Sequence, residues 1–297
     1  MIGHIGKLQH YSTKDGPGIR TTVFLLGCSL RCRWCANPEF LNPEPTLMYF
    51  KDRCQRCGLC AKTYPDAVTL SAEGCQIDRK KADANALVDL CPYDSYEVQG
   101  FDLSAEELVQ RLLKDKEFYE TSHGGVTFSG GECLLQAEFV KECMELLHKE
   151  GIHVTLDTAG NVPWETMEPA IQETDLILYD IKAFDTELHR QGTGVGNELI
   201  LNNFKKITEL GKRVIVRMIL IPGYNDSRED IMQRIDLVSD CNVKQIDFLK
   251  YHILGVGKYE KLGMEYELKN IGSLDESIVE FAQLYAQKKG IRTTVGG

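Results

Sequence analysis

The 297-residue chain carries 44 acidic against 34 basic side chains, a net charge of -10, and a nucleic-acid backbone binds clustered Lys and Arg, so no nucleic-acid partner is expected. No apolar run approaches the roughly 18 residues that span a bilayer, and positions 1–9 lack the apolar centre of a secretory signal, so a soluble, cytoplasmic chain with no membrane partner is expected. Its 11 cysteines would suit disulfides in a small secreted protein, but with no export signal and six of them in two tight groups they read as metal sites in a reducing compartment.

The first predicted strand covers 20–27, and Cys28, Cys32 and Cys35 follow it directly. Three thiolates in one loop are one fewer than a [4Fe-4S] cluster normally takes from protein, which leaves one iron open to a small molecule. A zinc site short of its fourth ligand, or a structural cluster that borrows a cysteine from elsewhere, are the alternatives; the x3, x2 spacing with Trp34 before the last thiol argues against both.

The segment 46–100 is rich in cysteine and short turns and has no long amphipathic helix, so it reads as a small inserted domain between 1–45 and 101–297. Cys54, Cys57 and Cys60 match the opening of the ferredoxin pattern C-x2-C-x2-C-x3-C-P, with Tyr64 where the fourth thiol belongs. Cys91-Pro92 fits the end of a second such pattern, whose other positions fall on Lys81, Ala84 and Leu87. In two-cluster ferredoxins the fourth Cys of each motif ligates the other cluster, so Cys91 belongs with Cys54, Cys57 and Cys60, and the four missing thiols belong together. One auxiliary [4Fe-4S] cluster in a ferredoxin-like insert is expected. A four-cysteine zinc site, or Cys75 in place of Cys91, are the alternatives.

The helix after Ser104 opens with a capping box to Glu107 and carries apolar pairs at Leu108, Val109, Leu112 and Leu113. Strands are then expected at 125–129, 153–157, 176–181, 213–220 and 245–251, with helices at 137–149, 198–210 and 227–239. A last helix, 274–289, stops at Gly290 before a strand at 291–295. This alternation builds a parallel sheet with right-handed crossovers. Six β/α units and a terminal strand are too few for a closed eightfold barrel, so the expected class is α/β, a partial (β/α)6 TIM-like barrel rather than a doubly wound sheet.

The strand ends carry the remaining candidates: Gly130-Gly131-Glu132, Asp157-Thr158, Asp180-Ile181-Lys182, Arg217, the turn 221–226, and Tyr251-His252. Taken singly each is ordinary. Lys182 and Arg217 suit salt bridges, His252 suits a satisfied surface or core position, and Cys133 suits a small buried hydrophobe. Together they fall at the carboxyl ends of different strands, the face on which β/α barrels assemble active sites.

These motifs resemble the radical S-adenosylmethionine (SAM) superfamily, whose signature is C-x3-C-x2-C after a first strand. Asp15-Gly16-Pro17-Gly18-Ile19-Arg20 narrows the likeness to the glycyl-radical-enzyme activases, the pyruvate formate-lyase activating enzyme family, and the match runs along essentially the whole chain. The resemblance implies that Cys28, Cys32 and Cys35 hold the SAM-binding [4Fe-4S] cluster and that these cysteines and Lys182 are catalytic. It implies a SAM site formed by Trp34, Cys35, Ala36, Gly130, Gly131, Glu132, Asp180, Ile181, Lys182, Arg217 and His252. It further implies a monovalent cation at Asp157 and Thr158, a glycine-loop contact at Asp15 and Gly16, a flavodoxin or ferredoxin-type reductant, and a monomer.

The implied activity is reductive cleavage of SAM to a 5′-deoxyadenosyl radical that abstracts hydrogen from a backbone glycine Cα of a partner glycyl radical enzyme. The insert favours a dehydratase, lyase or decarboxylase partner over pyruvate formate-lyase. Two rivals remain at this point: a radical SAM enzyme acting on a small molecule or a sulfatase, and a non-catalytic iron-sulfur electron-transfer protein. The latter would need the clusters but not the strand-end motifs.

Overall fold

The structure is a computed structural model that describes residues 1–296. The chain opens on β1 (Ile2–Ser12), which turns through the 13–19 loop into the antiparallel β2 (Arg20–Leu25), with Leu8 opposite Val23. β3 (Thr46–Tyr49) and β6 (Tyr96–Gln99) pair antiparallel, Thr46 opposite Gln99, so the segment between them leaves and rejoins the chain at neighbouring points. Inside that segment lie the hairpin β4 (Val68–Ser71) and β5 (Gly74–Ile77) and two short helices, Leu59–Thr63 and Ala84–Leu90.

β7 (Phe101–Ser104) pairs with the outer side of β1. β8 (Gly125–Gly130), β9 (His153–Thr158), β10 (Leu176–Asp180), β11 (Val214–Leu220), β12 (Gln245–Lys250) and β13 (Arg292–Gly296) then extend the sheet from β2 in chain order, all parallel. The nine-stranded order is β13-β12-β11-β10-β9-β8-β2-β1-β7.

The parallel strands read as apolar runs because helices cover them; β8 is buried at five successive positions. The helix Ala137–Lys149 lays Phe139, Val140, Cys143, Met144 and Leu147 on the sheet, the i, i+4, i+7 spacing of one helical face. The helix Ala105–Leu112 starts where expected: Ser104 Oγ accepts from Glu107 N at 3.2 Å, and Glu107 Oε2 accepts from Ser104 N at 2.9 Å.

Curvature follows from what the strand ends share. Six adjacent strands spaced ~4.8 Å would spread their ends over roughly 24 Å if flat. Instead, residues at or just beyond β2, β8, β9, β10, β11 and β12 line one cavity of about 240 Å³. The strand order has two ends, β7 and β13, so the barrel stays open. Along the open side a second cavity of about 520 Å³ lies between the 13–17 loop and strands β11 to β13. The fold is the expected partial (β/α)6 barrel.

Several elements lie outside the expected set, the short helices Lys116–Ser122 and Val256–Leu262 among them. β1 and β7 add an antiparallel flank, and the helices Trp164–Glu173 and Thr186–Thr193 fill connections left unassigned. β1 hid because its register shifts between Ile5 and Lys7 and again between Gln9 and Ser12, which breaks the period-two pattern that marks a strand.

Candidate active site

The loop carrying Cys28, Cys32 and Cys35 is held from outside itself. Cys28 N donates to Leu41 O at 3.2 Å, Arg31 N to Thr193 O at 2.7 Å and Arg33 N to Gly192 O at 2.9 Å. Trp34, buried, packs on Tyr224 with ring centroids 4.9 Å apart, and the Tyr259 hydroxyl donates to Cys35 O at 3.0 Å. All three thiols are free and line the 240 Å³ cavity with Trp34 and Ala36. Burial pushes the Cys28 and Cys35 thiols up to about 11 and Cys32 to about 12, while Lys182 pulls each the other way. A metal that takes them as thiolates must therefore displace protons.

The turn after β8 is fastened to the same loop. Gly131 N donates to Leu25 O at 3.0 Å and Glu132 N to Gly27 O at 2.7 Å. A Cβ on Gly130 would strike the Leu25 backbone, and one on Gly131 the carbonyls of Gly27 and Phe40, so only glycine lets the two chains lie this close. The bare backbone of Gly130 and Gly131 thus faces the cavity.

Glu132 does not. Its carboxylate is buried and accepts from Thr158 Oγ1 at 2.6 Å, Ala159 N at 3.0 Å and Leu134 N at 3.2 Å, and burial pushes it upward. Its side chain joins the ends of β8 and β9 rather than lining the cavity. The Ile181 side chain is likewise set back from the cavity. It is fully buried in the core, while Asp180 and Lys182 on either side of it face the cavity, as period-two alternation requires.

Two ion pairs stand at the cavity wall. Lys182 Nζ lies 2.6 Å from Asp180 Oδ2, and Arg217 donates to Asp157 Oδ1 at 2.9 Å. Burial alone would lower the Lys182 ammonium, but Asp180 and the thiols of Cys32 and Cys28 outweigh it and hold it above its ordinary value. Arg217, paired across the sheet with Asp180, is likewise raised by Asp157 and Asp180 against burial. The other oxygen of Asp157 accepts from Ser129 Oγ at 2.7 Å, and Thr158 Oγ1, besides donating to Glu132, accepts from Gly160 N at 2.9 Å. Asp157 and Thr158 therefore reach the cavity with their oxygens already engaged. Exposed His252 lines both cavities at their junction.

On the open side, Gly16 lines the larger cavity, whereas the Asp15 carboxylate accepts from Thr22 Oγ1 at 2.7 Å. Beneath them Arg20, fully buried, donates to Thr127 Oγ1 at 2.7 Å, Val126 O at 2.6 Å and Pro17 O at 3.1 Å. Burial pushes its guanidinium down to about 10, still charged at neutral pH. Arg20 and Ser129 escaped sequence reading as supports of this site, because their partners lie in other strands.

In the segment 46–100, Cys54, Cys57, Cys60 and Cys91 line one pocket, and so does Cys75. The Tyr96 hydroxyl donates to Cys60 Sγ at 3.3 Å, and Tyr49 Oη accepts from Cys75 N at 3.0 Å. The places of the missing ferredoxin ligands are filled otherwise. Tyr64, Ala84 and Leu87 pack into the apolar core of the segment, and Lys81 extends into solvent beside Asp78. Among the described residues no three His, Cys, Asp or Glu side chains converge on a point as a single metal ion would need; the thiols of each group stand around a cavity instead.

Among the described residues no helix is long and apolar enough to cross a membrane. Comparison with known proteins places these features in context. The profile of the Radical SAM superfamily matches residues 22–235. The chain is 36% identical to the (2S)-3-sulfopropanediol dehydratase activating enzyme of Klebsiella oxytoca, covering 99% of this chain and 97% of that one. It is 37% identical to the choline trimethylamine-lyase activating enzyme of Oleidesulfovibrio alaskensis, over 96% and 94% of the two chains. In fold it is similar to a radical SAM methyltransferase from Sphaerobacter thermophilus, with a TM-score of 0.55 over 98% of this chain and 76% of that one at 15% identity.

Proposed function

We propose, starting from the fact that this chain belongs to the radical SAM superfamily, a division of labour among its residues in activating a glycyl radical enzyme. The protein is a radical SAM enzyme of the activating class, and its full-length relatives act for dehydratases and lyases. The observation that carries the reading is convergence: the cysteine loop, the Gly130-Gly131 turn, the Asp157–Arg217 and Asp180–Lys182 pairs and His252 all surround one cavity that meets a second along the barrel's open side.

The donor set fits a cluster: three free thiols in one loop, facing a cavity that the partly buried Lys182 ammonium also lines. When bound, the cluster supplies the electron that cleaves SAM to methionine and the 5′-deoxyadenosyl radical, which takes the partner's glycine Cα hydrogen. The remaining work falls to the chain. The backbone of Gly130 and Gly131 gives the methionine amino group acceptors at close range, while the Glu132 side chain keeps the turn on β9. Asp180, Lys182 and Arg217 set charge along the wall, and Trp34, Ala36 and His252 offer surfaces to the adenosyl group. The enclosing strands exclude water from a species that would react with it. Asp15 and Gly16 head the loop that faces the open-side cavity, where the partner's glycine segment enters; Arg20 fixes that loop from below.

In the insert, Cys54, Cys57, Cys60 and Cys91 hold one auxiliary [4Fe-4S] cluster, supported by their shared pocket and by the apolar filling where a second cluster would need thiols. The partner is a dehydratase, lyase or decarboxylase, and a flavodoxin or ferredoxin-type protein supplies electrons to the monomer. A monovalent cation at Asp157 and Thr158 would have to share that carboxylate with Arg217 and Ser129.

Anaerobically reconstituted protein given SAM and dithionite should release 5′-deoxyadenosine and methionine, and should raise a glycyl-radical doublet in electron paramagnetic resonance on the correct partner. Absence of SAM cleavage would sink the reading. Iron analysis should give about 8 Fe per chain, against about 12 for a second auxiliary cluster and about 4, with zinc, for a zinc insert.

A further inference from the structure

The insert holds one thiol more than a cubane uses. A [4Fe-4S] cluster takes four protein thiolates, yet Cys54, Cys57, Cys60, Cys75 and Cys91 line the same pocket. Cys75 comes from β5, outside the ferredoxin-like pattern, and its Sγ stands 3.5 Å from that of Cys60.

That distance separates two roles. Thiolates on different irons of a cubane are held apart by the irons and sulfides between them. Two thiolates on one tetrahedral metal, with bonds of ~2.3 Å, stand about 3.8 Å apart. A cubane iron takes a single thiolate beside its three sulfides, so two sulfurs 3.5 Å apart are spaced to take the same iron in turn rather than two irons at once.

A packed pair of tyrosines holds the two cysteines in place. The Tyr96 hydroxyl donates to Cys60 Sγ at 3.3 Å. Tyr49, whose ring centroid lies 5.4 Å from that of Tyr96, anchors the Cys75 backbone through its hydroxyl. Cys91 is fixed independently, its N–H bonded to Leu87 O and Val88 O at the end of the helix Ala84–Leu90.

We infer that Cys75 is a reserve ligand of the auxiliary cluster, competing with Cys60 for a single iron while Cys54, Cys57 and Cys91 hold the other three. The inference rests on the auxiliary-cluster reading above. The exchange balances without a redox partner: the bond from iron to Cys75 sulfur forms as the bond to Cys60 sulfur breaks, and the proton of the Cys75 thiol passes to Cys60 across the contact between them. No electron moves. A cluster so equipped keeps its fourth iron when the Cys60 sulfur is oxidised or otherwise lost.

The test uses the full chain carrying Cys28→Ala, Cys32→Ala and Cys35→Ala, so that any iron bound is in the insert. After anaerobic reconstitution this parent should hold about 4 Fe per chain. Cys60→Ala, Cys60→Ser and Cys75→Ala, each added singly, should keep that iron and the Mössbauer pattern of a cubane. Cys60→Ala with Cys75→Ala should fall to about 3 Fe or fewer, with the paramagnetic resonance of a three-iron cluster, as should Cys54→Ala alone. Loss of iron in both Cys60→Ala and Cys60→Ser to the level of the double variant overturns the inference, as does its loss in Cys75→Ala alone. Zinc and no iron in the parent overturns the auxiliary-cluster reading, and the reserve role with it.

Discussion

Cys28, Cys32 and Cys35 stand in a loop that the barrel grips from outside, whereas the thiols of the insert surround a pocket lined by the insert alone. The first loop is bonded to carbonyls of Leu41, Gly192 and Thr193 and rests against the main core through Leu30. The insert's own core is six apolar side chains, Leu47, Tyr49, Ala67, Val68, Leu87 and Tyr96, with Cys54, Cys60, Cys75 and Cys91 packed around them, while Met48 and Phe50 pack outward on Leu262. So small a core does not hold a fold without a staple. The difference teaches that the barrel loop is held by backbone ties of its own, while the insert, on the auxiliary-cluster proposal, takes its shape together with the cluster.

The sharpest way to break this contrast is to remove a thiol from each region. Cys32→Ala should drop 5′-deoxyadenosine release to background while leaving the thermal unfolding midpoint unchanged, since the loop keeps its backbone ties. Cys91→Ala should do the reverse locally. Hydrogen exchange over 46–100 should accelerate as metal-linked stability is lost, with β8 to β11 still protected. Equal loosening of the barrel would end the distinction.

Smaller effects sharpen the barrel side. Asp157→Asn leaves Arg217 without its carboxylate in a largely buried site and should cost about 3 kcal/mol in denaturant unfolding of the holoenzyme. Glu132→Gln places an amide donor among three donors, Thr158 Oγ1 and the amides of Leu134 and Ala159. It should cost about 2 kcal/mol, and a larger loss of SAM affinity than of stability would return the Glu132 side chain to the binding site. Ser104→Ala removes a cap where the chain re-enters the barrel from the insert. It should cost about 1 kcal/mol, read as a lower unfolding midpoint with no change in iron content.

What the sequence determined by itself was chemistry carried by neighbours. The spacing of Cys28, Cys32 and Cys35, the paired losses at Tyr64, Lys81, Ala84 and Leu87, the Ser104 capping box and the parallel strands with their end motifs all lie within one turn, one strand or one motif. Only the tertiary structure decided which of those side chains face the cavity. Glu132 and Ile181 belong to motifs whose backbones border the site, yet one is taken up by Thr158 and Ala159 and the other by the core. The pairing of β1 with β7 and the meeting of Cys60 with Cys75 were likewise hidden. Each depends on which strand lies beside which, and that is set by burial and register across the whole chain rather than by the identity of either residue.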